Sequence, residues 1–125
     1  MKLNVGLLLL RLFIGLTMLI SHGWGKLANF GAMSTKFPDL IGLGSQVSLS
    51  LAVFSEVFCS VFIVLGLLTR WVSIPLLITM AVAFFIVHGN DPFKVKELAF
   101  LYMGAYATLI FTGAGDYSLD KLIRK

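Results

Sequence analysis

Six ionisable residues fall within or at the edges of the apolar runs of this chain: Arg11, His22, Lys26, Glu56, His88 and Glu97. Side chains of these types suit three kinds of chemistry. Two His and two Glu could bind a divalent metal, but neither HxxxH nor ExxH spacing is present. Two His could ligate haem axially, which requires His22 and His88 to face each other across a flat pocket walled by Met18, Phe84 and Phe85. A quinone head group needs only a His or an acid to hydrogen-bond its carbonyls, together with aromatic walls. Quinone demands least of the sequence and suits a membrane setting, so it ranks first, haem second and a bare metal site last.

The elements that must position these residues follow from composition. The 125 residues are 58% hydrophobic and 13% charged, whereas soluble domains carry about 25% charged residues. The apolar excess is spread over the whole length, which identifies an integral membrane protein whose first partner is the lipid bilayer. In that setting Arg11 and Glu56 each cost roughly 2.5–3.5 kcal/mol at a helix centre, so they are expected to face the bundle interior and pair. A net charge of +4 would suggest nucleic acid in a soluble chain. Here the basic residues sit at loops and termini, so no nucleic-acid partner is expected. Cys59 is the only cysteine, which excludes dithiol chemistry within one chain; it reads as a small buried hydrophobe.

A helix needs about 20 residues to cross the hydrocarbon core. Four stretches qualify, about 4–22, 47–68, 71–89 and 97–114. They predict a single all-α domain over residues 1–125: an antiparallel bundle of four transmembrane helices, with a long 1–2 loop and a short C-terminal amphipathic helix. No small-x-small cleavage site lies near Ser21, so residues 1–22 read as a retained helix. Thr69 and Arg70 make the second connection tight, and Pro75 lies near the start of the third span. Residues 23–46 read as an interfacial or re-entrant segment, and "DYSLDKLIRK" as an amphipathic helix with Ser118 as N-cap. Lys2, Arg70, Lys121, Arg124 and Lys125 fall on one side, and Lys26, Lys36, Lys94 and Lys96 on the other, diluted by Asp39, Asp91 and Glu97. That bias predicts both termini in the cytoplasm.

Helical spacing groups the costly residues into stripes. Arg11, Gly15, Met18, His22 and Lys26 share one face of the first span, and Ser48, Ala52, Glu56, Cys59 and Ile63 one face of the second. Glu97, Leu101, Gly104 and Thr108 form the inward stripe expected of the fourth, small residues allowing close approach. Span parity then brings His22, Lys26, His88 and Glu97 to one membrane level, with Glu56 beneath and Arg11 deeper, where an Arg11–Glu56 pair would set helix register. Taken singly, each has an ordinary reading: a His capping helix carbonyls, Lys26 snorkelling to the interface, Glu97 matching a helix dipole. Their convergence favours a site.

Three segments carry a resemblance: "LLRLFIGLTMLISHGWGKL", "LAVFSEVFCSVFIVLGLLTRW" and the close "GAGDYSLDKL". Together, and in this order, they resemble the DoxX family of small bacterial four-helix membrane proteins. The resemblance implies a four-helix bundle in the bacterial inner membrane. The family takes its name from a subunit of a thiosulfate:quinone oxidoreductase, and its members are linked to oxidative, thiol-reactive and quinone stress. Arg11, His22, Gly23, Lys26, Glu56 and Gly66 match the family pattern, and His88 and Glu97 also fit it. Ala114 departs from it, standing where Gly-Pro-Gly is expected, which bears on the local turn alone.

The expectation is therefore an inner-membrane component of an oxidoreductase system, binding quinone in an outer-leaflet pocket of His22, Lys26, Glu56, His88 and Glu97. Two other classes stay open. One is a non-catalytic membrane subunit that anchors a soluble oxidoreductase partner. The other is a path for a small solute or proton, for which four short helices enclose little room unless they form a homo-oligomer.

Overall fold

The computed structural model describes residues 2–34, 42, 44–87 and 89–124, and all regular structure among them is helical. α1 runs Lys2–Ala28, α2 is the short Phe30–Met33, and α3 runs Ser45–Leu65. α4 spans Thr69–Val82 and continues through a π-helical turn at Ala83–Val87; α5 spans Phe93–Thr112 and α6 Leu119–Arg124. α1, α3 and α4 are long and apolar enough to cross a membrane. α5 has 20 residues and carries Lys94, Lys96 and Glu97 near its start. The chain is a membrane protein.

α1 does not stop at residue 22. It passes through a π-helical turn at Met18–Gly23 and continues to Ala28. Glycine is a poor helix former, but Gly23 is held here by packing: a Cβ on it would lie 2.6 Å from the Glu56 carbonyl oxygen and 2.9 Å from Val57 Cγ2. The backbones of α1 and α3 touch at this point, and only a residue without a side chain permits it. Most of the expected interfacial segment, including residues 35–41, lies outside the described residues.

α3 and α4 form the expected hairpin. α3 ends on Gly66, at φ 73°, with Gly66 N donating to Ile63 O and Leu67 N to Phe62 O, the paired bonds of a Schellman cap. α4 starts immediately after, which puts Pro75 well inside it rather than in its first turn.

The chain's end is stitched over this hairpin. Asp120 Oδ1 and Oδ2 accept from Leu68 N (2.7 Å) and Thr69 N (3.1 Å), supplying acceptors for the free amides that open α4. Asp120 N in turn donates to Gly66 O at 2.9 Å. Asn4 exchanges two hydrogen bonds with Asp116, through its side-chain amide to Oδ2 and from the Asp116 backbone amide to Oδ1. Ser118 Oγ accepts from Lys121 N, so the predicted N-cap is present. Gly113 and Gly115 both take positive φ in the turn around Ala114, and Ala114 itself is buried.

The stripes expected on the first two spans face inward: Arg11, Gly15 and Met18 on α1, and Ser48, Ala52, Glu56, Cys59 and Ile63 on α3, are all buried. The stripe expected on the fourth span does not. Glu97, Leu101, Gly104 and Thr108 are exposed, and the buried face of α5 is Ala99, Tyr102, Tyr106 and Leu109. Small residues were expected to mark the contact face. α5 instead packs along α4 through large side chains, which turns Gly104 outward.

Gly23 and Gly25 separate packing from propensity within one helix. A Cβ on Gly25 would meet nothing within 4 Å, so Gly25→Ala should raise stability by up to about 1 kcal/mol. Gly23→Ala should lower it by about 1–3 kcal/mol through overpacking against Glu56 and Val57. Thermal unfolding in detergent micelles measures both, and equal effects of the two changes would contradict the close contact.

Candidate functional site

Two polar groups occupy opposite ends of the helical core. The first is built on Arg11, which is fully buried. Its Nη1 donates to the carbonyls of Ile63 (3.2 Å) and Val64 (3.1 Å), and its Nη2 to the carbonyl of Tyr117. The acceptors on α3 are carbonyls of its last turn, where the helix dipole concentrates negative charge. Glu56 is not its partner. Arg11 lies at the level of residues 63–66, more than a helical turn from Glu56, and backbone oxygens there take the role expected of the carboxylate. This arrangement binds the chain to itself through Nη1 and Nη2, while the buried Nε has no hydrogen-bond partner among the described residues.

The second group is built on Lys26 and Glu56. Lys26 Nζ and Glu56 Oε1 are 2.6 Å apart, with the Glu56 side chain 5% exposed and that of Lys26 23%. Both carriers are distorted at this level. Glu56 sits in a π-helical turn at Phe54–Cys59, and His22, one turn before Lys26, sits in the π-helical turn of α1. π-Helical turns inside α-helices recur at functional sites, because they re-aim side chains that a regular helix would place elsewhere. Here two such turns face each other, with Gly23 against the Glu56 carbonyl.

His22 is half-buried, lies within electrostatic reach of Glu56 and Lys26, and meets Tyr102 edge to face at 5.9 Å between ring centres. Tyr102 stacks on Tyr106, again with 5.9 Å between centres. The Tyr106 side chain is fully buried, and its hydroxyl has no hydrogen-bond partner among the described residues. Beside Glu56, Ser55 Oγ contacts Thr79 Oγ1 at 2.6 Å, and Thr79 donates onward to Pro75 O. The site thus combines an ion pair, an imidazole and two phenols on α1, α3 and α5.

Of the six residues expected from the sequence, His22, Lys26 and Glu56 come together. Arg11 stands apart. Glu97 is exposed on α5 and does not reach the group, because the face of α5 turned toward His22 carries Tyr102 instead. His88 lies outside the described residues. Tyr102 and Tyr106 are the members that charge-based reasoning misses. Their signal in the sequence is a pair of tyrosines four residues apart in mid-helix, away from the interfacial belt where tyrosine usually sits.

A cavity of about 200 Å³ lies beside this group, between α1 and α5, lined by Phe13, Ile14, Thr17, Leu98, Leu101 and Tyr102. Its walls are almost wholly apolar.

Breaking a buried ion pair from one side leaves an uncompensated charge, at a cost of roughly 3–5 kcal/mol. Because Lys26 is partly exposed, Lys26→Met should cost about 3 kcal/mol, at the lower end of that range. The double variant Lys26→Met/Glu56→Leu should recover most of the loss. A double-mutant cycle on unfolding in micelles checks this, and additive losses would mean that the two side chains do not interact.

Comparison with known proteins identifies a family. The DoxX family profile matches residues 6–89. An uncharacterized protein of Haemophilus influenzae is 30% identical over 129 residues, covering 98% of this chain and 85% of that protein. A second one from the same organism is 34% identical over 110 residues, covering 82% and 80%. The inner membrane protein YqjF of Escherichia coli is 28% identical over 126 residues, covering 98% and 95%. No solved structure matches the chain. The matched stretch takes in most of α1 and all of α3 and α4, with Arg11 and its Ile63 and Val64 acceptors, the Gly23 contact and the Lys26–Glu56 pair, and the chain belongs to the DoxX family.

Proposed function

We propose that the chain is a four-span inner-membrane protein that binds a quinone head group at the His22–Lys26–Glu56–Tyr102 group, as part of a membrane redox system. The inner-membrane location is carried over from the name of the Escherichia coli relative. α5 is taken as the fourth span, because it lies along α4 and its length suits a bilayer crossing. Both termini are then cytoplasmic, by the distribution of Lys and Arg, and the site opens toward the outer leaflet.

The observation that carries the reading is the Lys26–Glu56 pair beside His22 and two stacked tyrosines, set into the helical core. A quinone is a flat ring with two carbonyl acceptors. Lys26, His22 and the tyrosine hydroxyls are donors, and the Tyr102 ring supplies an aromatic wall. Membrane-embedded ionisable residues that are paired and face the interior mark ligand and proton sites by default.

A solute or proton path across the bundle is disfavoured by a specific feature. Met18, Ile63, Leu76 and Leu109 are essentially fully buried in the core, so a relay through it would have to pass along separate hydroxyls such as Ser60, Ser73 and Tyr106. Haem ligation by two histidines would need His88, which lies outside the described residues.

Protein purified in detergent should yield quinone on solvent extraction, above the detergent blank. His22→Ala should reduce both the extracted quinone and the affinity for added quinone by about tenfold, the loss of one or two hydrogen bonds to a buried ligand. Absence of both bound and added quinone would sink the reading. A visible spectrum with and without dithionite separates the haem alternative, which would show a Soret band.

A further inference from the structure

The geometry points to the cavity between α1 and α5 as the seat of the ligand's apolar tail and its route in from the lipid, with Tyr102 as the threshold to the polar group. The inference rests on the quinone reading of that group and adds a second subsite to it. Three observations carry it.

First, Tyr102 belongs to both places: it lines the cavity and it meets the His22 ring. A molecule lying in the cavity with one end at Tyr102 has that end beside the imidazole and the Lys26–Glu56 pair.

Second, the cavity lies on the bundle's most open seam. α4 and α5 pack extensively, and α1 packs closely on α3, whereas α1 and α5 make few contacts. Phe13, Thr17, Leu98 and Leu101 on the two sides of this seam are exposed at the lipid-facing surface. Entry there requires no passage through water.

Third, the lining selects the occupant. The space, about 200 Å³, is a groove open to the outside and walled almost wholly by apolar surface. The walls offer no charge to hold a phosphate or carboxylate, so the tail of a neutral lipid-soluble molecule suits them and an anionic headgroup does not. The occupant is the isoprenoid or alkyl tail of a quinone whose head lies at His22.

The test compares two quinones with the same dimethoxy-methyl ring, one without a tail and one with a decyl tail, on wild-type protein and three variants in the same micelles. Comparing variants at constant micelle composition removes differences in partitioning. Leu101→Trp, which fills the cavity from α5, should weaken the decyl quinone at least tenfold and change the tailless one by less than about twofold, since burial of several methylenes is what is lost. Thr17→Phe fills the cavity from α1 and should do the same, so the result does not depend on one variant folding. His22→Ala should weaken both quinones alike. Unchanged decyl affinity in both filled variants, or equal losses for the two quinones, overturns the tail subsite while leaving the head-group reading intact. A loss that accompanies dissociation of a dimer overturns it in favour of a second copy seated in the cavity. Failure of wild-type protein to bind either quinone overturns both.

Discussion

A guanidinium buried in the middle of an apolar chain is the constraint on which the rest of this structure depends. Arg11 cannot be left without acceptors at that depth, and it takes them from backbone rather than from a carboxylate. By drawing in the carbonyls of Ile63, Val64 and Tyr117 it joins α1 to the end of α3 and to the segment before α6. That choice fixes others. The carbonyls of Ile63 and Val64 are available because α3 ends there, and α3 ends there because Gly66 takes a left-handed conformation that a side chain would strain. A Cβ on Gly66 would also run into Arg11 itself and Ser118. Asp120 completes the knot by capping the first amides of α4 from the tail, and it places a negative charge within electrostatic reach of the guanidinium. Four remote stretches of sequence therefore depend on one side chain.

Anchoring at that end sets the register of α1 against α3, and register decides what happens at the other. With Arg11 at the level of residues 63–66, the antiparallel run brings Gly15 to Ser60 and Ile63, and Gly23 to Glu56. Lys26 then reaches Glu56. At 1.5 Å per residue, Arg11 and His22 lie roughly 16 Å apart along α1. The core of that interval is mainly apolar, with Met18, Ile63, Leu76 and Leu109 fully buried, but it also holds the buried hydroxyl of Ser60. The two polar ends are mechanically linked through the helices.

Much of this is legible in the sequence, for an identifiable reason. A charge in a membrane helix is costly enough that its helical face must turn inward, so Arg11 and Glu56 reveal the buried stripes of the first two spans. The same reasoning fails on α5. Glu97 lies in its first turns, where a charge can reach the membrane surface and need not point inward. Gly104 and Thr108 are small, but small residues only permit close packing and do not require it. Tyr102 and Tyr106 define the true inward face, yet they carry no charge and incur no comparable penalty. The partner of Arg11 is hidden for a different reason. Carbonyl acceptors are contributed by every residue, so nothing in the letters distinguishes Ile63 and Val64 as their source until the helix is seen to end there. The extent of α1 is misread because glycines at 23 and 25 suggest a helix stop, when one of them is a contact and the other stands free.

The two π-helical turns add a point that composition cannot convey. Each inserts a residue into the regular ladder, and each does so at the level where His22 and Glu56 must meet. Regular spacing already puts His22 and Lys26 near the face that Arg11 defines, and Glu56 on the face of Ile63. The π turns act locally within those faces, where the backbone is wider than in a regular helix. Gly23 lets the two distorted stretches approach until its backbone meets the Glu56 carbonyl. The Arg11 clamp fixes one end of both helices, and the polar group forms where the two distorted turns meet at the other.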